Sequence, residues 1–202
     1  MTTQFSFRSR FVLNTLAIGI LAVSGCRGSS QAEGAYDSAG ASCLTDTKLI
    51  DQKGDSVSLT SLKGKPLVVD FIYTACPGSC LMETAKLANV ALRLGSELGT
   101  KVAIVSITVD PEHDGPKQLL DYARQQGADQ DGWYFLTGSP AEVDHALGGF
   151  KVLREKGPDG SVGHIVDMFL VGPDGRELRE YNGEIVKPRD IVDDINKSLS
   201  KG

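Results

Sequence analysis

Residues 66–80 read Pro66-Leu67-Val68-Val69-Asp70-Phe71-Ile72-Tyr73-Thr74-Ala75-Cys76-Pro77-Gly78-Ser79-Cys80. The apolar run Pro66–Tyr73 runs into a short loop that holds Pro and Gly between two Cys. A continuous run of this kind marks a strand buried on both faces. From Cys80 to Leu98 the composition becomes helical, with Leu81, Ala85, Ala88 and Leu92 recurring at helical spacing. Strand, loop, helix in this order places the two thiols beyond the carboxyl end of a buried strand, where open α/β sheets gather their ligands.

Outward from this unit the same alternation continues. Lys101–Val109 reads as a second buried strand and Lys117–Gln126 as a helix started by Pro116. Trp133–Leu136 is a short strand. Ser139 caps a helix opening at Pro140, with Glu142 placed to complete a capping box. Phe150–Arg154 reads as a short strand. Ile165–Val171 and Glu177–Tyr181 form a hairpin over Gly172-Pro173-Asp174-Gly175, and Pro188–Leu199 is a closing helix. Upstream, Leu44–Ile50 and Ser56–Leu59 flank a turn at Asp51–Asp55. The expected class is α/β: a mixed central sheet flanked by helices, with inserted β-hairpins, an arrangement similar to the thioredoxin-like fold.

The first segment reads as an address. Arg8 and Arg10 precede the apolar stretch Phe11–Gly25, which is shorter than the ~20 residues a membrane-spanning helix needs. Val23-Ser24-Gly25-Cys26 resembles the bacterial lipoprotein box, in which Cys26 is lipidated and becomes the new N-terminus. Residues 1–25 are thus expected to be a lipoprotein signal peptide. Residues 26–42 form the lipidated Cys and a flexible Gly, Ala and Ser-rich tether, and residues 43–202 the folded domain. The expected location is exported and lipid-anchored, at the outer, periplasmic or extracytoplasmic, face of a bacterial membrane.

The 202 residues include 21 Lys+Arg and 26 Asp+Glu, for a net charge of −5, and the hydrophobic fraction is 41%. These values exclude a wholly disordered chain and offer no basic footprint for nucleic acid. Four Cys are too sparse for a disulfide scaffold of the small secreted kind.

Cys76 and Cys80 admit three readings from their spacing. Two buried structural thiols are one. A redox disulfide is the second, since Cα atoms at i and i+4 of a helix lie ~6 Å apart, within disulfide range. The C-x-x-x-C spacing is, however, not the C-x-x-C of the common redox motif. The third is a soft-metal site, with thiolates favouring Cu(I) or Zn, which needs a further ligand. His164, just ahead of the strand Ile165–Val171, is either that ligand or a turn residue. With two thiolates and one imidazole the site holds Cu(I) and also accepts Cu(II).

Several further stretches occur in order. These are Gly64-Lys65-Pro66, the loop Phe71–Cys80, Ser106-Ile107-Thr108-Val109-Asp110-Pro111-Glu112-His113-Asp114, Trp133-Tyr134-Phe135-Leu136-Thr137-Gly138, and Gly163-His164. Together, from about Leu44 to Tyr181, they resemble the SCO/SenC family of copper chaperones. The resemblance implies a thioredoxin-like fold and one copper ion per domain, Cu(I) or Cu(II). It implies Cys76, Cys80 and His164 as ligands and a role in assembling the CuA centre of cytochrome c oxidase. Implied partners are the CuA-bearing subunit or another cuproprotein, with copper donors and thiol reductants. The family's loop usually holds an acidic residue and is followed by Pro; Gly78-Ser79 and Leu81 stand there in this chain.

The alternative function is a thiol–disulfide reductase that acts on a client's copper-ligand Cys, with Cys76 attacking and no need of His164. A peroxidase is disfavoured, because Thr74 stands two residues before Cys76 and not three. Asp110 reads as a loop carboxylate opening the turn at Pro111, His113 and His145 as surface residues, and Trp133 as core-edge packing. Cys43 reads as a small strand residue packed on the sheet.

Overall fold

A computed structural model describes residues 41–158 and 161–200. The leader, Cys26 and nearly all of the tether lie outside the described residues. Among the described residues no helix is long and apolar enough to cross a membrane.

The central sheet has seven strands in the order β2-β1-β5-β4-β3-β8-β9. Its middle is β3 (Leu67–Ile72), β4 (Ala103–Thr108) and β5 (Trp133–Thr137). These three run parallel. Every residue of β3 and β4 is buried, the mostly apolar runs carrying Asp70, Ser106 and Thr108 in with them. The outer strands are antiparallel: β1 (Lys48–Asp51) with β2 (Ser56–Ser58), and β8 (Asp167–Val171) with β9 (Glu177–Asn182). The helices are α1 (Ser79–Leu94), α2 (Pro116–Gln125), α3 (Pro140–Gly149) and α4 (Pro188–Leu199). This is the mixed, thioredoxin-like α/β sheet expected from the alternation.

The pleat divides the core. Asp70 pairs with Ser106, and Ser106 with Phe135, so the three share one face. On that face Tyr122 of α2 meets Phe135 and accepts or donates a 2.8 Å hydrogen bond with Thr84 of α1. On the other face Phe71 and Phe169 close edge-on around Phe150 at the end of α3.

Local signals are realised at several elements. The Ser139 side chain accepts from the Glu142 N–H and the Glu142 carboxylate accepts from the Ser139 N–H, completing the capping box of α3. Asp51 accepts from the Lys53 and Asp55 N–H groups in the first hairpin turn. The helix expected to reach Leu98 stops at Leu94, because Gly95 takes a positive φ of 54° and a 3₁₀ turn, Gly95–Glu97, follows.

Three local expectations are corrected. The apolar stripe of α1 was placed on Leu81, Ala85, Ala88 and Leu92, yet Leu81 and Leu92 are exposed. The buried face is Cys80, Glu83, Thr84, Leu87, Val90, Ala91 and Leu94. Phe150–Arg154 is not a strand: Phe150 closes α3 and Lys151 turns the chain with φ 58°. The extended residues come next, as a separate two-stranded ribbon of β6 (Glu155–Lys156) and β7 (Val162–Gly163). Cys43 is buried as expected, but it precedes β1, held by its N–H and thiol to the Gly175 carbonyl at 2.9 and 3.2 Å.

Candidate metal centre

Two neighbouring thiols and an imidazole from far along the chain come together where β3 ends. Cys76 lies in the loop after β3, its N–H donating to the Tyr73 carbonyl at 3.2 Å. Cys80 is the second residue of α1 and fully buried. The i, i+4 spacing was read as one helical face; instead α1 begins at Ser79, and Cys76 folds over its N-terminus. The Cys80 N–H, a free donor of that first turn, points at Cys76 Sγ at 3.4 Å. His164 follows β7, and its Nε2 stands 3.9 Å from Cys80 Sγ. Of the three candidate ligands, Cys80 thus approaches both Cys76 and His164, while Cys43 lies apart at the Gly175 carbonyl.

The loop is stitched to its neighbour by Asp114. This buried carboxylate accepts the Thr74 N–H at 3.0 Å, the Thr74 hydroxyl at 2.5 Å and the Thr108 hydroxyl at 2.6 Å. It thereby ties the Cys loop to the end of β4. Asp114 was not singled out in the sequence; the signal was its place as the closing Asp of the Ser106–Asp114 motif.

Protonation sets the two thiols apart. Burial pushes the Cys76 thiol up. The Cys80 thiol, the Gly78 and Cys80 backbone and the Ser79 hydroxyl outweigh it by hydrogen bonding, so Cys76 sits below the ordinary thiol value. Burial pushes Cys80 well above it, and the neighbouring Cys76 adds to the rise. Burial lowers His164, against the opposing pull of the Ile165 carbonyl. Burial thus favours the neutral imidazole. With Nδ1 2.7 Å from that carbonyl, Nδ1–H donates to it and Nε2 faces Cys80 Sγ. Tyr73 stands edge-on to the ring, 6.1 Å between centroids.

The donor set is two soft sulfurs and one imidazole nitrogen. It fits a soft monovalent or borderline divalent ion and lacks the oxygen ligands of a hard-cation site. Cys76 and Cys80 are both free and buried thiols, so the same pair also has the parts of an exchange couple: a loop thiol shifted down and a helix thiol shifted up.

The other sequence candidates serve the frame. Asp110 is buried; its carboxylate meets His113 Nδ1 at 2.8 Å and its carbonyl accepts the His113 and Asp114 N–H groups, as a turn-opening residue does. His113 is exposed at the surface, and His145 bonds Thr47 at 3.0 Å. Trp133 is not at the core edge but 2% exposed, stacked on Phe135 and donating to Ser106 at 3.0 Å.

A family model described as SCO1/SenC matches residues 37–200. The solved structure of BsSco is similar: it is described as a member of the Sco family of cytochrome c oxidase assembly proteins with a disulfide switch. It is 39% identical, with a TM-score of 0.67, over 78% of this chain and 93% of that one. Bradyrhizobium japonicum ScoI with copper bound is 29% identical, with a TM-score of 0.68, over 75% of this chain and 96% of that one. A SCO1/SenC family lipoprotein from Bacillus anthracis str. Ames is 28% identical, with a TM-score of 0.71, over 77% of this chain and 94% of that one.

Proposed function

The chain belongs to the SCO1/SenC family, and from that premise we propose that it is a copper-binding chaperone serving assembly of the CuA site of cytochrome c oxidase. Copper is its cargo, one ion per domain, held by the Cys76 and Cys80 sulfurs and His164 Nε2. The observation that carries this reading is the 3.9 Å approach of His164 Nε2 to Cys80 Sγ, made by a residue 84 positions downstream. A thiol pair alone needs no such imidazole. The copper-bound ScoI structure and the assembly role of the Sco family support the reading by relationship. Delivery proceeds by exchange of these ligands for a client's own Cys and His. The likeness of Val23-Ser24-Gly25-Cys26 to a lipoprotein box supports a site of action at the outer face of a bacterial membrane, within reach of a membrane-bound client.

The test is anaerobic copper titration of the full chain in detergent, wild type beside His164→Ala. An intense thiolate-to-Cu(II) band saturating at one equivalent, lost or strongly altered in the variant, is the expected result. A band identical in both removes His164 from the site.

The unequal thiols favour a second reading, a thiol–disulfide reductase that keeps a client's ligand Cys reduced. Here the Cys76 thiolate attacks the client disulfide, and Cys80 then displaces the mixed disulfide. The client leaves as a dithiol and Cys76–Cys80 as the disulfide. His164→Ala separates the readings, since reductase action survives it and copper binding does not.

A further inference from the structure

His164 belongs to no strand of the main sheet. It leaves β7, whose pairing with β6 is only two residues long: Glu155 opposite Gly163 and Lys156 opposite Val162. A two-stranded ribbon of this size is not stable alone in water. Of its four residues only Val162 is buried, so the ribbon lacks an apolar face large enough to hold it. Its position must be fixed from outside.

The fastening is the residue immediately before β6. The Arg154 guanidinium reaches three separate parts of the domain. Nε donates to Asp144 Oδ1 at 2.6 Å and Nη2 to Asp144 Oδ2 at 3.4 Å, a two-pronged grip on α3. Nη1 donates to the Val109 carbonyl at 3.2 Å, at the end of β4, and to Glu112 Oε2 at 3.0 Å in the loop beyond. Its side chain is only 10% exposed. Lys156, two residues on, adds ion pairs to Glu112 at 3.1 Å and Asp110 at 3.7 Å. The Val162 backbone meets Tyr73 at the ribbon's other strand. The network is electrostatically committed: Glu112, despite its desolvation, is held down to about 2 by its own backbone bond, Arg154 and Lys156.

We propose that Arg154 is the positioning residue for His164: it pins the β6–β7 ribbon to α3 and the β4 end, and so holds the imidazole against Cys80. The inference rests on the reading of His164 as a copper ligand. Arginine suits the task because one planar group makes bonds in several directions at once, which an ammonium cannot reproduce. Partners that orient a metal-binding His commonly change metal affinity by about 10- to 100-fold when removed, and Arg154 acts in the same way through the ribbon.

The experiment is a double-mutant cycle on the full chain. Copper release to excess chelator is timed for wild type, Arg154→Gln, His164→Ala and the double variant. Arg154→Gln is expected to speed release about 10- to 100-fold in the wild-type background and to add nothing once His164 is gone. Arg154→Lys is expected to recover part of the loss. Equal acceleration in both backgrounds, or none in either, overturns the proposal. A second measurement needs no metal: amide hydrogen exchange of the copper-free chain. Gly157, Val162 and Gly163 should exchange about tenfold faster in Arg154→Gln while β3 and β4 keep their protection. Unchanged exchange in the ribbon also overturns it. If His164→Ala releases copper as the wild type does, the copper reading fails, and the exchange measurement still decides whether Arg154 anchors the ribbon.

Discussion

Two carboxylic acids lie under the Cys loop with no ion pair to account for them. Asp70, in the middle of β3, accepts the Ser106 hydroxyl at 2.5 Å through one oxygen, and its other oxygen is buried without a partner. Glu83, on the inner face of α1, has both oxygens buried without partners. Its carboxyl fills the space that a side chain on Gly183 would need. Burial raises Asp70 to about 7, against the Ser106 bond, and Glu83 to about 9, with Asp70 adding to the rise. The folded values lie above the unfolded ones, so the folded state binds these protons more tightly. The stability they allow is complete below about pH 4 and is lost as pH climbs through 7 toward 9. For Asp70 alone the shift from 3.8 to about 7 corresponds to at most ~4 kcal/mol. Denaturant titrations from pH 4 to 9 should therefore show wild-type stability falling with pH. Asp70→Asn should flatten the fall by about 2 kcal/mol or more at pH 8, and Glu83→Gln should flatten its alkaline end. A wild type equally stable at pH 5 and pH 8 contradicts both assignments.

The elements were unequally legible. Ser139 and Glu142 announced the start of α3, and the structure contains both halves of the box. Ser139→Ala should cost ~1 kcal/mol, read as a lowered denaturation midpoint at unchanged m-value. The buried strands β3 and β4 and the Cys loop were equally plain, because long apolar runs leave few alternatives. In α1 the helix was legible and its inner face was not. Glu83 and Thr84 sit in the buried stripe, so the polar-outside rule pointed to the opposite side, where Leu92 is 79% exposed. The ribbon β6–β7 was invisible for another reason: strands of two residues carry no period to detect. Val152 and Leu153 drew attention to the wrong residues, one buried and the other 80% exposed. Of the candidate site, both thiols and the imidazole proposed as ligands came from the sequence. What holds them could not, because Arg154 and Asp114 act through contacts between distant segments.

At the scale of the molecule, the domain and its address are separate pieces of physics. The folded part carries its own core, and the proposed membrane attachment rests on Cys26. Cys26→Ala should abolish incorporation of labelled fatty acid into the chain. It should also move the protein from the membrane to the soluble fraction, while the thermal transition of the domain stays within about 1 °C of wild type. Retention of label in that variant removes Cys26 as the lipid site.

An anchored protein is confined to a plane, where copies meet far more often than in free solution. The ends of the seven-stranded sheet decide what such meetings lead to. One end is β2, three residues long; the other is β9, where Glu177 and Glu180 face outward and Arg179 is tied to Asp194 of α4 at 2.7 Å. Neither margin offers another copy a long, uncharged strand to extend. With copies crowded together as the proposed anchor would hold them, the sheets should therefore stay discrete rather than begin a continuous β-structure.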